Sequence, residues 1–194
     1  MNVGIVVEGP SDRATYPVLM RRIRNDIDRP QTRDCGGRFK LKESFPYFLE
    51  EFQRNPAWGI DVAFVIRDSD CKPCQRIEDD LRRTLDDSRF DFPVEFFAAK
   101  CDLETWLLVD ENAINQVSQQ RGKNNQVEPV RFEFESGKAK EHFRRQLSKA
   151  NLRPVPEVYE EIATRMDLER TAAHCPSFRA FVSRVRGLTP LARR

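Results

Sequence analysis

No apolar stretch in this sequence approaches the roughly 20 residues that span a bilayer, so no membrane helix is expected. The opening MNVGIVVEGP lacks a basic start, a long apolar middle and a small-residue cleavage site, so no signal peptide is expected either. Cysteine is sparse: Cys35, Cys71, Cys74, Cys101 and Cys175 are odd in number and scattered. That pattern argues against a disulfide framework and favours reduced thiols in a cytoplasmic protein. The chain has no Gly-x-x-x-x-Gly-Lys-Ser/Thr loop, which excludes ATP hydrolysis of that type. It has no Ser-His-Asp order and no nucleophile elbow. Internal repeats and low-complexity tracts are also lacking.

What is present fits a globular chain. Of the 194 residues, 39% are hydrophobic and 33% charged, enough for a core and too apolar for disorder. The formal net charge is +2, unevenly spread. From Lys138 onward there are 13 Lys/Arg against 6 Asp/Glu, and the first 137 residues hold 20 against 25. An acidic body with a basic tail could hold a metal at one end and a polyanion at the other. Arg-rich solvated helices are the alternative.

Val3 to Val7 (VGIVV) is a β-branched run that Glu8-Gly9-Pro10 ends, which predicts a strand buried on both faces. Ser11 is placed to cap a following helix, with Asp12 favourable in its first turn. Pro17 predicts a kink or a later start. Cys35-Gly36-Gly37 reads as a loop and Glu43 to Phe52 as a helix. Ile60 to Ile66 is a second buried strand, Cys74 to Asp87 a helix, Pro93 to Ala99 a third strand and Leu103 to Val109 helical. Gln119 to Gln126 is polar and expected to be mobile, and Arg131 to Glu135 alternates charge with Phe132 and Phe134. Helical periodicity returns over Ala139 to Ala150, Glu157 to Met166 and Ser177 to Arg186. Strand and helix alternate early and helices alone come after. The expected fold is therefore α/β, with a doubly wound, mainly parallel sheet over residues 1–115. A mobile loop and helical part over 116–194 would pack on it.

Two predicted strands end in carboxylates: Glu8 succeeds VGIVV, and Asp68 and Asp70 succeed IDVAFVI. Ligands of open α/β sheets sit at the carboxyl ends of the strands. On a still-extended chain Asp68 and Asp70 would point the same way. Hard oxygen donors of this kind suit Mg²⁺ or Mn²⁺. Two such ions about 3.5–4 Å apart can clamp the attacking and leaving oxygens of a phosphoryl group. Either motif by itself is more often structural. Cys71-Lys72-Pro73-Cys74 is half of a zinc site or a redox pair; a zinc site and ordinary reduced thiols both stay open.

VVEGPSD before a helix and FVIRDSD after a strand resemble the Toprim domain, a fold shared by topoisomerases, primases and OLD-family nucleases. With the Cys35-Gly36-Gly37 turn, AAKCDLETWLLVD and CPSFRAFVSRVRGL, most of the chain resembles the small stand-alone DUF4276 proteins. The resemblance implies Glu8 as general acid/base or metal ligand, and Asp68 and Asp70 as the Mg²⁺-binding pair. Glu104, in Glu-x-Trp, would complete the site or complement a helix N-terminus, with Asp102 a weaker companion. Lys138 and Arg13 are candidate phosphate contacts, although Gly137 replaces the proline that the family tends to carry before that lysine. Tyr16, Tyr47 and Tyr159 sit in no topoisomerase context.

The expected activity is a Mg²⁺- or Mn²⁺-dependent nuclease on DNA or RNA, in a phage-defence or mobile-element setting. An ATPase partner of the AAA or ABC type is implied by the resemblance, and a homodimer is left open. The alternative is a non-catalytic Toprim-like module that binds nucleic acid or that ATPase.

Overall fold

The computed structural model describes residues 1–85, 89–130 and 137–190. The expected alternation at Arg131 to Glu135 lies outside the described residues, as does Asp87, although the helix expected to reach it already stops at Arg82. Elements run in the order β1 (Val3–Val7), α1 (Pro10–Ile23), β2 (Gln31–Asp34), α2 (Arg38–Arg54), β3 (Val62–Asp68), α3 (Cys74–Arg82) and β4 (Val94–Ala99). Then come α4 (Glu104–Leu107), α5 (Glu111–Gln120), α6 (Ala139–Lys149), α7 (Pro156–Arg165), α8 (Leu168–His174) and α9 (Pro176–Arg186).

The four strands form an all-parallel sheet in the order β2-β1-β3-β4. Side chains alternate across it, as the two-residue period requires. Val3, Ile5 and Val7 of β1, with Phe64 and Ile66 of β3, pack under α1 and the C-terminal helices. Val6, Ala63, Val65 and Phe96 face the other way, onto Phe45, Leu49 and Phe52 of α2 and Leu81 of α3. Helices therefore cover both faces, which makes the fold a doubly wound α/β sheet. β1 lies so close to α2 that a Cβ on Gly4 would stand 2.6 Å from the Phe52 ring. Helices α5 to α9 share one apolar core with α1 and the sheet.

Several boundaries differ from the sequence expectation. β2 (QTRD) carries no apolar residue, yet it pairs with β1 along the sheet edge, where half-burial suffices. α5 and α8 also escaped the periodicity. Gly9, not Ser11, caps α1, because Pro10 fits the first helical position, where its missing N–H costs nothing. α1 continues through Pro17.

The order places a topological switch between β1 and β3. α1 carries the chain outward to β2, and α2 brings it back past β1 to β3. In sheets of this order the crevice opens at the carboxyl ends of those two strands, where Glu8 and Asp68 stand.

Candidate active site

Glu8 is the first residue beyond β1, and Asp68 is the last residue of β3. They line a cleft of about 450 Å³ with Asp12 from the first turn of α1 and Glu104 from the start of α4. Lys140 and Arg144, one turn apart on α6, and Tyr159 of α7 complete the opposite wall. Local hydrogen bonds fix each acid. The Gly9 N–H donates to Asp12 Oδ2 at 3.0 Å, tying Asp12 back to the β1 turn. The Leu103 N–H donates to Asp68 Oδ1 at 3.1 Å. The Tyr159 hydroxyl donates to Glu104 Oε1 at 2.9 Å, and Lys140 Nζ stands 3.7 Å from the same oxygen. Asp102 accepts from the N–H and hydroxyl of Thr105, capping α4 from just outside.

Acids outnumber the cations that face them, and burial with mutual repulsion raises their proton affinity. Burial, then Asp12 and Glu8, hold the Asp68 carboxyl well above the ordinary range. Asp12 is pushed up to about 7 by burial and by Glu8 and Glu104. Asp102 rises to about 6, through burial and Glu104. Glu8 is raised by burial against the pull of Arg67, with Asp70 adding repulsion. Burial opposes the charge of Lys140, but Glu104, Asp68, Asp102 and Asp12 together outweigh it and raise its pKa.

Glu8 Oε1 and Tyr16 Oη are buried without a hydrogen-bond partner. Arg67 Nε lies 3.5 Å from Glu8 Oε1, close enough for an ion pair but unaligned for a hydrogen bond. Orphaned oxygens beside crowded carboxylates suit a hard cation or ordered water. As placed, no three or more His, Cys, Asp or Glu among the described residues converge on one metal position. The donor chemistry therefore fits Mg²⁺ or Mn²⁺, whereas the side chains stand apart from a closed coordination shell.

The expected residues are sorted unequally. Glu8, Asp68 and Glu104 come together in the cleft. Asp70 is exposed and does not share Asp68's direction, because β3 ends at Asp68 and Asp70 turns into the left-handed region at φ 49°. It remains near enough to repel Glu8. Lys138 precedes α6 and stands outside the cleft lining, where Lys140 and Arg144 take its expected place. Arg13 comes after Asp12 by a helical rotation that turns it outward, to an exposed ion pair with Asp34 at 3.3 Å. Asp12 looked like a helix-dipole acid, and its contribution to the cleft emerges only from the fold. Periodicity puts Lys140 and Arg144 on one face of α6, but only the packing of α6 brings that face to the cleft.

The cysteines depart furthest from expectation. Cys71 and Cys101 form a disulfide, which corrects the expectation of reduced thiols and takes Cys71 out of any zinc pairing with Cys74. The Ser69 N–H donates to the Ala99 carbonyl, and the Asp70 N–H to the Cys101 carbonyl, so the β3 and β4 ends are zipped together and bring the two sulfurs into reach. Sequence spacing contains no trace of that pairing.

The site rests on an aromatic cluster. Trp106 of α4 packs against Tyr16, Phe178 and Phe181, and its indole N–H donates to the Ser177 hydroxyl at 2.9 Å. This joins the DLETWLLVD segment to CPSFRAFVSRVRGL, far apart in sequence, beneath one cleft.

No curated protein and no solved structure matches the chain. One family does, the Domain of unknown function (DUF4276), over residues 7–186. That span begins one residue before Glu8, ends with α9 and takes in every residue of the cleft, and the chain belongs to the DUF4276 family.

Proposed function

We propose that this chain is a Mg²⁺- or Mn²⁺-dependent, Toprim-type phosphodiester hydrolase acting on nucleic acid. One observation carries the reading: carboxylates from the ends of two adjacent parallel strands crowd a single crevice without enough cations to balance them. Such crowding costs stability and persists where a bound cation relieves it. Glu8, Asp68 and Glu104 would hold the ion, with Asp70 at the rim. When bound, it would polarise a phosphoryl oxygen and lower the pKa of a water.

The chain's own groups have separate tasks. Glu8, its proton affinity raised by burial, suits general acid/base transfer at the nucleophilic water. Lys140, charged and facing the carboxylates, would neutralise a non-bridging phosphate oxygen, and Arg144 at the mouth would grip a neighbouring phosphate. Tyr159 orients Glu104 through its hydroxyl. Phosphate contacts of this kind confer affinity without sequence reading and weaken steeply with salt. Among the described residues, no helix is long and apolar enough to cross a membrane. We place the protein in the cytoplasm, in a phage-defence or mobile-element setting beside an AAA- or ABC-type ATPase, with a homodimer as one state of assembly.

The test is cleavage of single- and double-stranded DNA and RNA with EDTA, Mg²⁺ or Mn²⁺, beside Asp68→Ala. Metal-dependent cleavage that Asp68→Ala abolishes is the expected result and identifies the substrate. Intact substrates in every lane, with metal still bound, would replace the hydrolase with a nucleic-acid- or ATPase-binding module.

A further inference from the structure

Asp68 ends β3, and Asp102 and Glu104 come 34 and 36 residues later at the loop into α4 and its first turn; the structure joins the loops that leave β3 and β4 at one place. The first loop leaves β3 through Ser69, Asp70 and Cys71. The second leaves β4 through Lys100, Cys101 and Asp102. Their cross-ties are few and adjacent. The Ser69 and Asp70 N–H groups donate to the Ala99 and Cys101 carbonyls at 2.8 and 2.9 Å. The Cys101 N–H donates to Ser69 Oγ at 2.9 Å, and the Leu103 N–H donates to Asp68 Oδ1. In the middle lies the covalent bond from Cys71 to Cys101.

Asp70, Cys71 and Cys101 all adopt positive φ, at 49°, 62° and 62°. Non-glycine residues seldom hold this conformation unless their surroundings impose it. Both bonded cysteines and the Asp70 that flanks one of them hold this conformation, which indicates loops held in place by tethers. The disulfide also touches the opposite wall. A Cβ on Gly137 would lie 2.9 Å from Cys71 Sγ, so the segment leading into α6, which carries Lys140 and Arg144, rests against the bond.

We propose that the Cys71–Cys101 disulfide is a reversible redox staple that holds the acidic cleft assembled and loosens it on reduction. The proposal concerns the regulation of the cleft read above as a hydrolase site, and it rests on that reading. In a cytoplasmic protein a disulfide is characteristically transient and redox-sensing. Access favours the same use: Cys71 is half-exposed, whereas Cys101 is buried. A thiolate of a dithiol reductant attacks Cys71 Sγ and forms a mixed disulfide, and Cys101 leaves as thiolate and takes up a proton. The second thiol of the reductant then attacks its own sulfur of the mixed disulfide, releasing Cys71 as a thiol and closing a cyclic disulfide. Two electrons and two protons pass to the protein. Without the bond, the tethers left across the loops are hydrogen bonds and packing. Asp68, Asp102 and Glu104 then lose their fixed spacing, and the Gly137 segment loses the surface it rests on.

The experiment uses the full chain, equilibrated with the oxidised (cyclic) or the reduced form of the dithiol dithiothreitol and alkylated after denaturation. The oxidised form is expected to take label at Cys35, Cys74 and Cys175, and the reduced form at all five cysteines. Hydrogen exchange without metal then compares the two. The amides of Asp70, Cys101 and Leu103 are expected to exchange at least about tenfold faster once reduced. Cys71→Ala in oxidised buffer should match the reduced wild type, and Cys101→Ser is a second variant should the first fail to fold. Label on all five cysteines after oxidation, or equal exchange in both forms, overturns the staple. A Mn²⁺ titration of both forms keeps the two readings apart: a melting temperature that metal moves in neither form counts against the metal reading alone, because exchange decides on the staple without metal.

Discussion

Asp110 and Asp68 both end buried segments, and their surroundings are opposites. Asp110, 3% exposed, caps α5 and accepts from the Asn112 N–H at 3.1 Å and the Asp167 N–H at 2.7 Å. Arg170 stands 3.5 Å away and also grips Glu111 at 2.7 Å. Every negative group there meets a donor fixed by the fold. Asp68 faces Asp12, Glu8, Glu104 and Asp102 instead, and those neighbours raise its pKa on top of burial. A carboxylate kept for stability is surrounded by donors; one kept for chemistry is left under strain that a ligand can relieve. The contrast carries the functional reading, since both regions look equally acidic in sequence.

The sharpest break of that contrast is at Asp68. Asp68→Ala is expected to lower metal-dependent cleavage by about 10³-fold or more, as loss of a group central to charge stabilisation does. Its melting temperature should change little, because the repulsion that leaves with the carboxyl offsets the acceptor that the Leu103 N–H loses. A variant that unfolds while retaining specific activity would put Asp68 in the same class as Asp110.

The mirror experiment is Asp110→Ala. Removing a carboxylate that satisfies two N–H groups leaves both without an acceptor, while Arg170 keeps Glu111, and costs about 3 kcal/mol. In a domain of this size that lowers the melting temperature by roughly 6–12 °C. Activity per folded molecule should be unchanged, and a selective loss of activity would bring Asp110 into the chemistry.

Much of the cleft was legible in the sequence, for a physical reason: parallel strands buried on both faces read as apolar runs, and the residue at the carboxyl end of each run must emerge at the crevice. Glu8 and Asp68 were found that way. Asp12, Lys140, Arg144 and Tyr159 were not, because their place depends on how α1, α6 and α7 pack against the sheet ends, and local sequence does not encode that packing. β2 was missed because an edge strand needs no apolar residues. Asp70 was misdirected because an extended continuation was assumed where the backbone turns left-handed. The disulfide was invisible because two scattered thiols meet only when β3 and β4 are in register.

Acidity offers a graded test of the contrast. Unfolded, Asp12 and Asp102 titrate near pH 4; folded, they do so at about 7 and about 6. Between those limits the folded chain holds more protons on these two groups than the unfolded one, so their contribution to stability is fully present below about pH 4 and is lost as pH rises toward 7. Asp12→Asn keeps an acceptor for the Gly9 N–H and removes the charge. It should flatten that decline and raise the melting temperature at pH 7.5 by about 2–4 °C, near 1 kcal/mol. Mn²⁺ should stabilise the wild type more at pH 7.5 than at pH 5, and the variant less than the wild type at either. Melting curves across pH decide the matter: parallel declines for both proteins would show that Asp12 does not share the cluster's repulsion.

The smallest effect belongs to the cationic rim. Arg144 is exposed at the cleft mouth, and Arg121 forms an exposed pair with Glu161 at 2.7 Å on another part of the helical layer. Both are arginines of that layer, and either could belong to a solvated face. If Arg144 meets a phosphate, Arg144→Ala should weaken binding of a short oligonucleotide about three- to tenfold and reduce the slope of log K against log salt by about one. Arg121→Ala should leave the slope alone. The slope discriminates better than affinity, because losing an arginine can loosen packing, but only release of a condensed counterion changes the salt dependence. Equal slopes in all three proteins would leave the acids and Lys140 as the cleft's claim on a ligand, and would favour a small metal-bound substrate over a polyanion.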